Sequence, residues 1–302
     1  RTILSKGMAN YAKHGPHNPF TDKLTAEQLH ALLPAELTDL LKDLRFIQHE
    51  VFYFGAKSAG KVAGILKSHH AVSEASRKPV PPRKYPEIGV KKDKVYFVNF
   101  PSVQIELLML SKGTPKFNLE EFVFAEWYNQ YFGYGLSSIV FQEIRESKAL
   151  AYSAYVHAGS PSKKQHAHWL QGYVGTQPDK VRDAVEAFQA ILEEMPASLP
   201  QMEHARQGVL KQIAAGRISQ SELYWAWRSS RDKGYANRDL RKDIYNTIEK
   251  AEASDLLQYQ KGHVKGRHYT WLVLGERERI DFKYLKTIGK VVELSLEEVF
   301  GY

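Results

Sequence analysis

The sequence contains no cysteine. Disulfide bonds, thiol catalysis and cysteine-ligated zinc are therefore excluded. No apolar run approaches the roughly 18 residues that a membrane-spanning helix needs, so we predict a soluble protein without a membrane span. An initiating Met and a signal-peptide pattern are also missing at Arg1, and we therefore expect a fragment or a processed product.

A segregated stripe of positive charge is missing as well. Lys and Arg outnumber Asp and Glu by 42 to 34, a net charge of +8. Basic and acidic side chains nevertheless alternate, as in Arg145-Glu146-Ser147-Lys148, which is typical of a mixed solvated surface. Nucleic-acid binders concentrate their excess charge on one face. We therefore predict no nucleic-acid partner, although the excess can attract acidic peptides.

The helical motif His-x-x-Glu-His, which supplies zinc ligands and a general base in one class of peptidase, is absent together with its inverse. His49-Glu50 is followed by Val, Phe and Tyr, and Glu203-His204 follows Pro200, which occupies the position of the first His. Because two His and a Glu are needed as ligands, we predict no catalytic zinc site here. The chain alone should then cleave nothing.

Helical and strand patterns fill the chain on both sides of a proline-rich segment. Residues 69–90 hold four prolines among basic residues and are predicted to be an extended linker. Residues 1–68 contain helices and one strand, 46–54, too few elements to bury both faces, so we interpret them as the C-terminal part of a preceding α/β domain. Residues 91–302 predict an α+β domain with an antiparallel or mixed sheet and helices packed on one face.

Residues 131–155 hold the most informative pattern. A helix over 118–131 is predicted to end at a turn with Gly133 and Gly135, and a second helix, 136–147, leads to a strand that starts near Tyr152. Arg145 and Tyr152 are seven residues apart, and this geometry can aim both at one point. Both donate hydrogen bonds and can hold a peptide carbonyl. From the spacing alone, however, we favour a structural role for both.

This segment resembles the C-terminal, non-catalytic half of insulinase/pitrilysin-type (inverted zincin) zinc metallopeptidases. Their segment is roughly Gly-Gly-Gly-x-Ser-Ser-x-Leu-Phe-Gln-Glu-x-Arg, followed six residues later by Tyr. The resemblance is clear over 95–192 and looser beyond it. The matching residues are Gly133, Gly135, Ser137, Ser138, Phe141, Gln142, Glu143, Arg145, Leu150, Ala151 and Tyr152.

The resemblance implies roles for four of these residues. In active members, the corresponding Arg and Tyr reach across an enclosed chamber to a substrate held by zinc in the N-terminal half. Tyr152 would then donate to the developing oxyanion, and Arg145 would hold a nearby carbonyl or orient Tyr152. Gly133 and Gly135 are candidates for substrate contact, because a glycine-rich segment presents substrate in inactive members. As a simpler alternative, the two glycines only let the chain turn.

We therefore predict the C-terminal substrate-binding half of a zinc metalloendopeptidase that degrades peptides. It would need no cofactor of its own, and zinc would lie in an N-terminal half, either upstream in the same polypeptide or in a separate subunit. The alternative is a proteolytically inactive scaffold or assembly subunit of the same family. The compartment stays open, with the bacterial periplasm or cell envelope favoured over the cytoplasm or an organelle matrix.

Two further patterns are weaker. Residues 55–62 fit a phosphate-binding loop up to Lys61, but Val62 replaces the Ser or Thr that holds magnesium, so we favour a plain strand-to-helix connection.

If 152–158 and 166–174 form a hairpin, His157 and His166 would be cross-strand neighbours with His168 on the same face. We interpret these three as polar surface rather than as a metal site.

Overall fold

A computed structural model describes residues 2–70 and 76–302. Its strands are β1 (Lys94–Asn99), β2 (Ile105–Lys112), β3 (Ser153–Gly159), β4 (Trp169–Thr176), β5 (Thr270–Gly275) and β6 (Lys290–Glu293). They form one six-stranded sheet in the order β3-β4-β2-β5-β1-β6. β1 runs parallel to β5 and β6, whereas the β2–β4, β2–β5 and β3–β4 pairs are antiparallel.

Helices surround this sheet, and short 3₁₀ turns occur at Leu44–Phe46, Pro178–Lys180 and Arg277–Arg279. The helices are α1 (Ile3–Met8, continued by Ala9–His14), α2 (Ala26–Ala31), α3 (Pro34–Asp43), α4 (Ala59–His69), α5 (Leu119–Tyr128, continued by Asn129–Gly133), α6 (Phe141–Ser147), α7 (Val181–Glu193), α8 (Leu199–Ala215), α9 (Gln220–Asp232), α10 (Leu240–Lys250), α11 (Ala253–His263), α12 (Phe282–Ile288) and α13 (Leu296–Phe300). Within the described ranges, no helix is long and apolar enough to cross a membrane.

The main core lies between one face of the sheet and the larger helical layer. Alternate strand residues such as Phe97, Leu107 and Val273 point into it, because successive side chains of a strand face opposite sides. Helix α7 contributes a stripe at helical spacing, formed by the buried residues Val181, Ala184, Val185, Ala187, Phe188, Ile191 and Leu192. Each fully buried large aliphatic or aromatic side chain contributes roughly 1.5–3 kcal/mol.

Helix α1 covers the opposite face of the sheet. Leu4 and Met8 pack there with Leu108, Leu272 and Val299 in a second apolar cluster. The central strands β2 and β5 are therefore buried on both faces. This explains why they are continuous apolar runs rather than alternating ones.

The segment around α2, α3 and α4 packs differently, since none of these three helices has a buried residue. Their local signals are nevertheless correct. Thr25 and Gln28 form the capping box that the sequence predicts, and Pro34 occupies the first turn of α3. The apolar side chains of α3 instead face solvent, with Leu40 65% and Leu41 68% exposed. This surface has no covering layer in the described parts of the chain.

The predicted α+β class and mixed sheet are confirmed, and most helices lie on one face as expected. The predicted strand at 46–54 is wrong, because only Ile47 forms a bridge, to Arg77, and no ladder follows. Residues 71–75 of the predicted linker, like Arg1, lie outside the described residues, and 76–90 contain no helix. The division into 1–68, 69–90 and 91–302 stays a prediction, although α1 packs on the sheet of the last segment.

Candidate functional site

A tight turn between α6 and β3 brings Arg145 and Tyr152 together. Ala149 has a φ of 47°, a left-handed conformation that ends the helix. The N–H of Leu150 then donates to the carbonyl of Ile144 at 3.0 Å, and that of Tyr152 donates to Gly175 at 2.9 Å. The second bond attaches the start of β3 to the end of β4.

The two side chains line one solvent-open pocket of about 350 Å³. Its wall also includes Gln177 and Lys180, which follow β4, and Glu146. Lys180 donates from Nζ to the carbonyl of Ala149 at 3.0 Å and so holds the turn in place. With two cations and one carboxylate in its lining, the pocket favours electron-rich groups such as carbonyl oxygens.

Tyr152 presents an oriented hydroxyl to this pocket. The residue is 58% exposed, and its oxygen accepts a hydrogen bond from Gln177 Nε2 at 2.8 Å. Because the amide is the donor, the phenolic proton stays available for another acceptor. The described part of the chain offers no acceptor for it. Tyr152 can therefore donate to a ligand without breaking its own support.

Arg145 is held more loosely. Its guanidinium carbon lies 4.8 Å from the ring centre of Phe141, and Nε lies 3.7 Å from a carboxylate oxygen of Glu146. The Arg145 side chain is 46% exposed and that of Glu146 is 53% exposed, so this ion pair is screened by solvent and weak. No acceptor among the described residues bonds this guanidinium, so most of its five N–H donors are available to a ligand.

Gln177 and Lys180 were not predicted from the sequence. They lie about 30 residues beyond Arg145 in a Gln-Pro-Asp-Lys turn with no chemical motif. Only the register of β3 against β4 brings them beside Tyr152: Ser153 pairs with Gly175. A correct hairpin register would have been the one signal able to identify them.

The two candidate glycines lie outside this pocket. Gly133 is buried, and a Cβ at this position would meet the carbonyl oxygen of Val156 at 2.3 Å. Gly135 is exposed, has a φ of 98° and would meet nothing within 4 Å. Each position thus favours glycine for its own structural reason, close approach in one case and backbone conformation in the other. Contact of either with substrate stays a prediction.

Helix α5 also protects the outer edge of β3. The side chain of Asn129 donates from Nδ2 to the carbonyl of Ala158 at 3.1 Å and accepts from the N–H of Ala158 at 2.7 Å. It thus replaces a neighbouring strand at this point, which is a common way of blocking an exposed sheet edge. An extended peptide cannot pair with β3 between Val156 and Ala158 while this contact persists.

The three hairpin histidines do not have the predicted cross-strand arrangement. His157 pairs with Gln171 in the ladder, and His166 precedes β4, so the predicted His157–His166 pairing is wrong. The register differs because β4 starts only at Trp169. No group of three potential ligands that could hold a metal ion occurs in residues 2–70 and 76–302. The described residues, which also lack the His-x-x-Glu-His motif, therefore do not fit a catalytic zinc ion.

His168 instead lies in a buried polar cluster. Its Nε2 accepts from the backbone N–H of Asn118 at 3.0 Å, which requires that nitrogen to be unprotonated. Its Nδ1 lies 3.7 Å from Glu121 Oε1, and His263 Nδ1 lies 3.6 Å from Glu121 Oε2. Burial lowers the pKa of His168, which His263 and Arg267 lower further, and Glu121 opposes this shift.

Acidification is expected to destabilise the fold through His168. Its pKa is lowered in the folded state, so the unfolded chain binds this proton more readily below the ordinary histidine pKa of about 6.5. The stability that neutral His168 gives the fold is present above the ordinary histidine pKa and is lost as the pH falls towards the folded-state pKa. Between pH 7.5 and pH 5, the free energy of unfolding measured with urea is expected to fall less for His168→Gln than for the unsubstituted protein. The amide oxygen of Gln keeps a hydrogen-bond acceptor at this position but does not titrate. Equal losses in both proteins would contradict this assignment.

Solved structures share this fold. A peptidase M16 inactive domain from Pseudomonas fluorescens superposes with a TM-score of 0.63 at 16% identity, over 90% of this chain and 64% of that one. A protease from Helicobacter pylori superposes with a TM-score of 0.60 at 14% identity, over 83% of this chain and 61% of that one. A conserved protein from Enterococcus faecalis V583 superposes with a TM-score of 0.62 at 12% identity, over 84% of this chain and 58% of that one. The chain thus spans less than two thirds of the length of each. No curated protein matches the sequence.

A family model gives the more specific result. The model for the peptidase M16 inactive domain matches residues 48–208, more than half of the chain. The match includes the entire segment 131–155 and the pocket of Arg145 and Tyr152. The C-terminal-half resemblance of the sequence is thereby confirmed, and the chain belongs to the M16 peptidase family as a protein of its inactive-domain type.

Proposed function

We propose that this chain is the substrate-binding half of a zinc metalloendopeptidase that degrades peptides in an enclosed chamber. The observation that carries the proposal is the convergence of Arg145 and Tyr152, both with unused hydrogen-bond donors, on one open pocket. The family match implies a catalytic partner half. That half, upstream in the same polypeptide or in another subunit, would supply the zinc ligands and the general base.

Each residue of the pocket has a separate task in this proposal. Tyr152 donates a hydrogen bond from its free O–H to the carbonyl oxygen of the scissile peptide bond as negative charge develops there. Gln177 keeps the phenol aligned by donating to its oxygen. Arg145 holds an adjacent carbonyl of the same peptide, and Lys180 fixes the turn that sets the distance between them.

Cleavage of a quenched, unstructured peptide tests this proposal. The chain is assayed alone, with a protein from the same organism that carries His-x-x-Glu-His, and as part of any longer natural polypeptide that contains both. Zinc-dependent activity only when both halves are present, lost on Arg145→Ala, is the expected result. Activity of this chain alone would contradict it.

The exposed leucines of α3 favour a second role, that of an inactive assembly subunit. A contiguous apolar surface of this kind is typical of a protein interface, and an interface is required in both interpretations. Peptide cleavage distinguishes them, because a scaffold forms the complex without raising its activity. A stable, zinc-loaded complex whose cleavage rate is unaffected by Arg145→Ala and Tyr152→Phe would favour the scaffold.

Replacing Leu40 and Leu41 together by Ser tests whether α3 contacts the partner half. Both are more than 60% exposed, so the two changes together should alter the free energy of unfolding of this chain by no more than about 1 kcal/mol. Association with the partner half should weaken by roughly tenfold or more, measured by analytical ultracentrifugation. Leu199→Ser, 66% exposed on α8, is the matched control. Equal affinities of the double variant and the control would exclude α3 from the interface.

A further inference from the structure

A second cavity, of about 420 Å³, lies between α5, α8 and α10. It shares no lining residue with the pocket of Arg145 and Tyr152. Its volume is in the range of small-molecule sites. One wall consists of Glu126 and Gln130, on α5 and its continuation, and of Tyr134 directly after it. The opposite wall consists of α8.

The base of this cavity is aliphatic. Val209 and Ile213 come from α8 and Ile244 comes from α10. Val209 and Ile244 are buried and Ile213 is half-buried. An apolar base with a few polar groups around it is the usual design of a small-molecule site, and here the base fits an aliphatic group.

Glu126 supplies a carboxylate to one wall of this cavity. Burial raises its pKa, and in the described ranges no Lys, Arg or His forms an ion pair with it. A partly buried carboxylate without a counter-charge is unfavourable, and a cationic ligand would relieve the penalty. Arg241 lines the same cavity but forms no ion pair with Glu126, and its Nη2 donates to the carbonyls of Ile213 at 2.9 Å and Gly216 at 2.6 Å.

Further polar groups of the cavity have unused hydrogen-bonding capacity. The side-chain amides of Gln130 and Gln212 and the hydroxyl of Tyr134 have no hydrogen-bond partner among the residues that the structure describes. Arg217, just beyond the end of α8, is exposed and likewise forms no ion pair there. The cavity thus combines a carboxylate, an aliphatic base and a free cation at its rim.

We propose that this cavity binds an aliphatic α-amino acid, free or as the residue at the amino end of a peptide. The α-ammonium group would pair with Glu126, the side chain would pack on Val209, Ile213 and Ile244, and the carboxylate or next carbonyl would reach Arg217. Both sources present the same ammonium and aliphatic group. The proposal does not depend on the assigned catalytic role, because the two pockets are separate.

Isothermal titration calorimetry of the purified chain with three probes tests it. L-leucine carries both charges, L-leucinamide lacks the carboxylate, and N-acetyl-L-leucine lacks the ammonium. L-leucine is expected to bind and N-acetyl-L-leucine is not. Equal binding of leucinamide identifies peptide amino ends as the source, whereas binding of leucine alone identifies the free amino acid.

Variants connect the binding to the assigned residues. Glu126→Gln should weaken leucine binding about tenfold or more, because it removes a charge-assisted hydrogen bond. Arg217→Ala should weaken the binding of leucine more than that of leucinamide, because only leucine presents a charged carboxylate to the guanidinium. Glu186→Gln, an exposed carboxylate on α7, is the control. Absence of leucine binding, equal binding of N-acetyl-leucine, or unchanged affinity in a folded Glu126→Gln variant would overturn the proposal.

Discussion

Tyr152→Phe is expected to lower kcat/KM of the assembled peptidase by about 10²- to 10³-fold. In the proposed function the substitution removes one oxyanion donor, and losing such a donor costs about 3–4 kcal/mol in the transition state. The fold should tolerate the change, since Tyr152 is 58% exposed and its hydroxyl only accepts a bond from Gln177. The loss should therefore appear mainly in kcat.

A nearby tyrosine, on β3 itself, provides the matched control. Tyr155 also accepts a hydrogen bond at its hydroxyl, from Gln171 Nε2 at 3.1 Å, but it does not line the pocket. Tyr155→Phe should leave kcat/KM within about twofold. Equal activities of the two variants, with both complexes intact, would remove Tyr152 from the catalytic step.

The proximity of Arg145 and Tyr152 was predictable because it depends on local structure. Only the end of α6 and a turn separate them, and little of the remaining chain is needed to bring them together. The α+β class was predictable for a similar reason. The apolar runs of β2 and β5 and the stripe on α7 are strong periodic signals.

Features that depend on distant contacts were not predictable. The pairing of β3 with β4 places His157 opposite Gln171, and a register is set by packing on both faces rather than by the turn sequence alone. The position of α1 on the second face requires its contact with Leu108 and Leu272. A helix pattern indicates an apolar side but not the surface that this side will cover.

Gly133→Ala is expected to destabilise the fold by about 3 kcal/mol or more, at the upper end of overpacking costs. The new methyl group would lie 2.3 Å from the backbone oxygen of Val156, and a backbone atom within a strand cannot move aside easily. The end of α5 must then shift away from β3. Its bonds from Asn129 to Ala158 should weaken, so hydrogen exchange at the Ala158 amide should accelerate together with the loss of stability.

Gly135→Ala separates the structural from the substrate-binding interpretation of the glycine turn. The position is open but has a φ of 98°, so the expected cost is about 1–2 kcal/mol of backbone strain, without faster exchange at Ala158. A folded Gly135→Ala enzyme with a raised KM would place substrate against the turn. A normal KM would leave backbone conformation as the reason for this glycine. If Gly133→Ala were no more destabilising than Gly135→Ala, the close approach of α5 to the edge of β3 would be wrong.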